Sequence, residues 1–91
     1  MTQEKILTRH PLNKSGKSVS KQKYDTIKDS IITALRDSEL THTELTNRVV
    51  EALTGKFDGN ISWYTETVKL DLEAGKIITR TSSKPQKYKL A

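Results

Sequence analysis

The chain contains no cysteine. That excludes disulfides, thiolate zinc sites and a thiol nucleophile. It has only two histidines, His10 and His42, and no pair of them has metal-ligand spacing. No apolar run approaches the roughly 20 residues a membrane-spanning helix needs. The opening MTQEKILTRHP lacks the apolar stretch of a signal peptide. The expectation is a cytoplasmic protein with no membrane partner. Asn13-Lys14-Ser15 and Asn60-Ile61-Ser62 match the glycosylation pattern, which has no use without export. Ninety-one residues suffice for one domain. A chain of this size buries about 60–65% of its unfolded surface, so a thin core must hold it without staples.

Acidic side chains are scarce at both ends. Residues 1–23 hold six basic and one acidic side chain, residues 24–75 hold five and ten, and residues 76–91 hold five and none. An acidic body thus lies between two basic flanks, within a net charge of +5. Basic flanks suit a polyanion, because each neutralised phosphate releases counterions; lysines also simply keep a small domain soluble.

Residues 1–19 read as a basic arm, partly disordered or lying loosely on the body, since Pro11, Gly16 and basic residues interrupt any periodicity. The domain proper is then 20–91. Tyr24, Ile27, Ile31, Ala34 and Leu35 recur at helical spacing and predict a helix over 21–36, capped by Ser20. Thr41-His42-Thr43-Glu44 fits a capping box, and Leu40 and Leu45 fit the staple around it. Leu45, Val49, Ala52 and Leu53 give the buried face of this second helix. Glu39-Leu40 fits a brief edge strand. Residues 54–60 form a loop in which Phe57 folds back on the core. A third helix covers 61–74, capped by Asn60 or Ser62, with Gly75 as a left-handed stop at C′. Strands follow over 76–81 and 86–90, joined by Ser82-Ser83-Lys84-Pro85.

Helix, short strand, helix, helix and hairpin, with Leu72-Glu73 followed by Ile77-Ile78-Thr79-Arg80, is an order similar to small bacterial winged helix-turn-helix domains such as those of MarR-type and PadR-type regulators. From Tyr24 through Leu90 the chain more closely resembles a group of short uncharacterised bacterial winged helix proteins. They carry a Trp-Tyr-Thr-x-Thr-Val-Lys-Leu-Asp-Leu-Glu run, here Trp63 to Glu73. The resemblance implies an α+β winged helix fold with a two-stranded wing. It also implies a DNA-binding transcription regulator whose third helix enters the major groove.

With residues 100° apart, Ile61, Tyr64, Thr65, Val68 and Leu72 face the core. The expected core also takes in Ile77, Ile78 and Tyr88. Trp63, Glu66, Thr67, Leu70 and Ala74 face outward. By the resemblance, Ser62, Trp63, Thr67 and Lys69 meet the groove. This face lacks the arginine, asparagine and glutamine that read purines, and Lys69 is outnumbered by Glu66, Asp71 and Glu73. Arg80, Lys84, Lys87 and Lys89 on the hairpin, with Lys14 and Lys17 in the arm, suit phosphates better. The hairpin lysines also suit the protection of an edge strand. Trp63 and Leu70 form a small apolar ridge. It could pack against the arm or helix one, anchor a homodimer or protein partner together with Glu66, or stack on nucleic acid. Protein–protein interaction through Trp63, Glu66 and Leu70 is therefore the alternative to binding double-stranded DNA.

Catalysis has little support. Gly16-Lys17-Ser18 matches the end of a phosphate-binding loop, but the upstream glycine and a preceding strand are missing. No enzyme, cofactor, metal or small-molecule substrate is expected.

Overall fold

The computed structural model describes residues 5–8 and 18–91. They form an α+β arrangement of three helices and two small antiparallel sheets. Arg9, Lys14 and Lys17, expected in a basic arm, lie outside the described residues. In place of a loose arm, β1 (Lys5–Leu7) and β2 (Ser18–Ser20) form an antiparallel pair that sets Ile6 opposite Val19. Val19 is buried in the core and Ile6 packs against it. Two three-residue strands with so few apolar positions are too short to produce a visible alternation. The expected boundary between residues 19 and 20 therefore falls inside β2, which runs straight into the first helix.

α1 (Lys21–Asp37) begins at Ser20, whose hydroxyl accepts the Lys23 amide. Tyr24, Ile27, Ile31, Ala34 and Leu35 are its buried stripe. β3 is Leu40–Thr41, one residue later than the expected Glu39-Leu40. α2 (His42–Leu53) carries the capping box: the Glu44 amide donates to Thr41 Oγ1 at 3.2 Å, and the Thr41 amide to Glu44 Oε1 at 2.9 Å. Thr41 thus ends a strand and caps a helix at once. α3 (Ile61–Ala74) is capped by Asn60, whose side-chain oxygen accepts the Trp63 amide at 3.0 Å. α1, α2 and α3 pack pairwise around Ile27, Ile31, Leu45, Val49, Val68 and Leu72. Phe57 returns to this core as expected, edge-on to Tyr64 at 5.2 Å between ring centres. Ile61 and Ile77, expected inside, are only partly buried at its margin.

The stop after α3 differs from the sequence expectation by one residue. Gly75 is the C-cap with an ordinary φ of −83°. Lys76 takes the left-handed conformation at φ 62°. The Lys76 amide donates to the Glu73 carbonyl at 3.1 Å and the Ile77 amide to that of Leu72 at 2.9 Å, the paired bonds of a Schellman motif. This turn occupies Lys76 and Ile77, so β4 is Ile78–Arg80 rather than 76–81.

β5 (Lys87–Leu90) is the central strand of the second sheet, in the order β3-β5-β4. Tyr88 lies between Leu40 and Arg80, Lys87 beside Thr41, and Lys89 beside Thr79. Side chains alternate across a strand. Tyr88 and Leu40 therefore turn to the core, while Lys87, Lys89, Thr41 and Thr79 share the outer face. Among the described residues, no helix is long and apolar enough to cross a membrane.

Candidate functional site

α3 and the β4–β5 hairpin hold most of the expected contact residues. Trp63 stands 42% exposed near the start of α3. Its indole meets Tyr64 edge-on at 5.0 Å. Ser62 beside it is exposed, and Glu66, Thr67 and Leu70 are half-buried along the outer side.

Lys69 does not belong to that surface. It is 3% exposed, which overturns its expected place against a DNA groove. Its Nζ lies 2.8 Å from His42 Nδ1, 3.3 Å from the Tyr88 hydroxyl and 3.4 Å from Glu66 Oε2. It also sits 4.5 Å from the centre of the Tyr88 ring. A lysine nitrogen has three donors and no acceptor, so all three are used. His42 Nδ1 must then accept, which leaves the ring proton on Nε2, 3.4 Å from Glu66 Oε2. One lysine thereby joins α2, α3 and β5.

The other acidic side chains of α3 are engaged in the same inward fashion. Asp71 is 3% exposed and accepts a short hydrogen bond from the Tyr24 hydroxyl of α1. Glu73 takes Arg80 in a two-pronged pair, with Arg80 Nη2 donating to Oε1 at 3.0 Å. The Glu73 hydrogen bond holds the Arg80 guanidinium above its ordinary pKa. Arg80 also lies 5.4 Å from the Tyr88 ring centre. It is therefore a tie between α3 and β4 rather than an unengaged phosphate contact. The Tyr24–Asp71 pair was not expected, although a tyrosine on a buried stripe needs a partner for its hydroxyl.

The remaining hairpin cations are different. Lys84 and Lys89 are exposed and Lys87 is half-buried on the outer sheet face. Lys76 is exposed at the left-handed turn. None of these four ammonium groups makes a hydrogen bond or ion pair among the described residues. Glu44, at the start of α2, feels the Lys87 charge, but its carboxyl is drawn below the usual range chiefly by the Thr41 backbone and hydroxyl bonds.

Open concavities lie among the described residues. One of about 310 Å³ runs between α1 and α2 and mixes Asp29 and Asp37 with Arg48. Another, about 540 Å³, opens at the start of α1 beside the α2–α3 loop. Among the described residues, no three histidine or carboxylate side chains gather as a metal set.

A family model described as a family of unknown function (DUF6958) matches residues 5–88. No curated protein and no solved structure matches the chain.

Proposed function

The chain belongs to that family, and we propose that it is a winged helix protein that binds double-stranded DNA in transcriptional regulation. In this reading α3 approaches the major groove and the β4–β5 hairpin is a wing lying on phosphates. One observation carries it. Each acidic side chain of α3 is engaged within the domain: Glu66 by Lys69 and His42, Asp71 by Tyr24, and Glu73 by Arg80. The carboxylates that would repel a polyanion are thus paired with a cation, as Glu66 and Glu73 are, or buried, as Asp71 is. Lys76, Lys84, Lys87 and Lys89 remain as a basic field. Ser62, Trp63 and Thr67 are the groups left to meet the groove, and a threonine can touch a thymine methyl. Such an interface holds phosphates more than it reads bases.

A mobility-shift titration with a mixed duplex pool tests this at about 50 mM salt, where non-specific binding is strong. A shift that weakens steeply as salt rises is expected. No shift at high micromolar protein sinks the reading.

The exposed Trp63 favours a second reading, a homodimer or protein contact built on Trp63 and Leu70. Glu66, already engaged by Lys69 and His42, adds little to it. Light scattering decides this reading: a monomeric mass at millimolar protein removes the homodimer.

A further inference from the structure

The concavity at the start of α1 is lined by Ser20, Lys23 and Thr26 of the α1 end and by Lys56, Phe57 and Asp58 of the loop before α3. Lys23 is half-buried. Its Nζ stands 5.9 Å from the Phe57 ring centre and 5.6 Å from that of Tyr64. Those two rings fix an ammonium group at the mouth of the cleft. Lys56 is exposed, and its ammonium group makes no hydrogen bond or ion pair among the described residues. Lys21, nearby in sequence, is occupied by Asp25 at 2.9 Å. Asp58 is the one carboxylate in the lining.

The position of this cleft along α3 gives it a role. Tyr64, which Lys23 overlies, is in the first turn of α3, beside the exposed Trp63. The hairpin leaves the other end of α3 at Gly75 and runs back along its flank, where Arg80 meets Glu73 and Tyr88 meets Lys69. Fourteen residues of helix span about 21 Å at 1.5 Å per residue. The major groove is about 12 Å wide between its walls. A helix of that length, about 10–12 Å across with its side chains, lies along the groove with a phosphate ridge on each flank. We infer that Lys23 and Lys56 form a second phosphate-binding site, which grips the strand across the groove from the one held by the hairpin. The proposal rests on the DNA-binding reading and fixes the orientation: α3 lies along the groove between two cationic clamps, with Trp63 beside the Lys23–Lys56 clamp.

Counterion release supplies the test. Each phosphate neutralised adds about 0.9 to the slope of log affinity against log salt. Fluorescence anisotropy with a labelled mixed-sequence duplex, over about 50 to 250 mM salt, gives the slope for the wild-type chain, for K23Q/K56Q and for K84Q/K89Q. Each double variant is expected to lower the slope by about 2. Asp58→Asn is expected to tighten binding, an effect that damage to the fold would not produce. Circular dichroism melts confirm that each variant is folded, and Lys56→Gln alone, at an exposed position, is expected to lose about 1. If K23Q/K56Q and Lys56→Gln keep the wild-type slope while K84Q/K89Q loses its 2, the second clamp is wrong and the hairpin reading stands. If the wild-type chain does not bind, both fall. If the protein binds an acidic peptide such as polyglutamate as tightly as duplex, the cleft is an anion site for protein and the DNA clamp is overturned.

Discussion

Lys69 Nζ and His42 Nδ1 approach to 2.8 Å, although the two residues are 27 positions apart and lie on different helices. With the Tyr88 hydroxyl at 3.3 Å, this contact fixes the joint at which α2, α3 and the central strand meet. A buried lysine whose partners are all present holds a structure; it does not recruit a ligand. Lys69→Ala removes the stem as well as the donors and is expected to cost about 2–3 kcal/mol in a denaturant melt. Lys69→Met keeps the stem. His42 and Glu66 each stay about half exposed and can turn to water, so the cost should be about 1 kcal/mol. The salt slope for DNA in Lys69→Met should equal that of the wild-type chain. A lower slope would return Lys69 to the contact surface.

Arg80 is held by Glu73, and that pair can be opened from the acidic side. Glu73→Gln leaves a neutral hydrogen-bonding partner and frees the guanidinium charge. It is expected to raise the salt slope for DNA by about 1, the signature of one added phosphate contact. Arg80→Gln should leave the slope unchanged while destabilising the fold, since it strips the partner from a Glu73 side chain only 15% exposed. Equal slopes in Glu73→Gln and wild type would mean that Arg80 has no reach to a phosphate.

The left-handed residue at the end of α3 is a lysine preceded by a glycine that does not need its freedom. A left-handed non-glycine residue costs about 1 kcal/mol or more. Lys76→Gly should therefore stabilise the protein by about that amount in thermal or urea melts. Gly75→Ala, at φ −83°, should be neutral or stabilising. A strong loss in Gly75→Ala would place the turn one residue earlier.

Glu44 gives a pH dependence of known sign. Its carboxyl is drawn below the usual range by the Thr41 hydrogen bonds. A carboxylate with a depressed folded-state pKa stabilises above its unfolded value and loses that contribution as pH falls through the folded one. Wild type should therefore melt above Glu44→Gln at neutral pH. The gap should close as pH falls below about 4.3, the ordinary glutamate value. Thr41→Ala, which removes the cap itself, should cost about 1 kcal/mol at neutral pH. A gap that widens in acid would contradict the capping box.

Trp63 is the single tryptophan, so intrinsic fluorescence reports the outer start of α3 alone. Emission should be red-shifted and iodide-quenchable in the free protein, in keeping with its 42% exposure. Saturating duplex should protect it from iodide. Trp63→Ala should weaken DNA binding with little change in salt slope, because stacking and wedging contacts release no counterions. Its stability should fall by about 1 kcal/mol through the lost edge contact with Tyr64. Unchanged iodide quenching at saturation would take Trp63 off the interface.

Local rules were sufficient wherever one segment supplied both halves of an interaction. Ser20, Thr41 with Glu44, and Asn60 cap helices because each hydroxyl, carboxylate or amide reaches an amide three residues away. That reach is a property of the chain in its own neighbourhood. The apolar stripe from Tyr24 to Leu35 and the alternation around Tyr88 are legible for the same reason: periodicity fixes a buried face before the partner is known. The β1–β2 pair escaped, because three residues carry almost no period.

The charged side chains of α3 were decided elsewhere. By helical spacing Lys69 and Asp71 stand at the two borders of the buried arc, roughly 80° from its centre, where sequence cannot tell inside from outside. Lys69 went inward because folding brought His42 and Tyr88 to its side, and Asp71 because Tyr24 offered its hydroxyl; both partners are far away along the chain. The sequence determined three rods, a ribbon and a surplus of lysine at the ends. Only the packing of those rods determined which charges cancel within the molecule and which remain for a partner, because a Coulombic pair or a buried hydrogen bond depends on distance in space and not on distance along the chain.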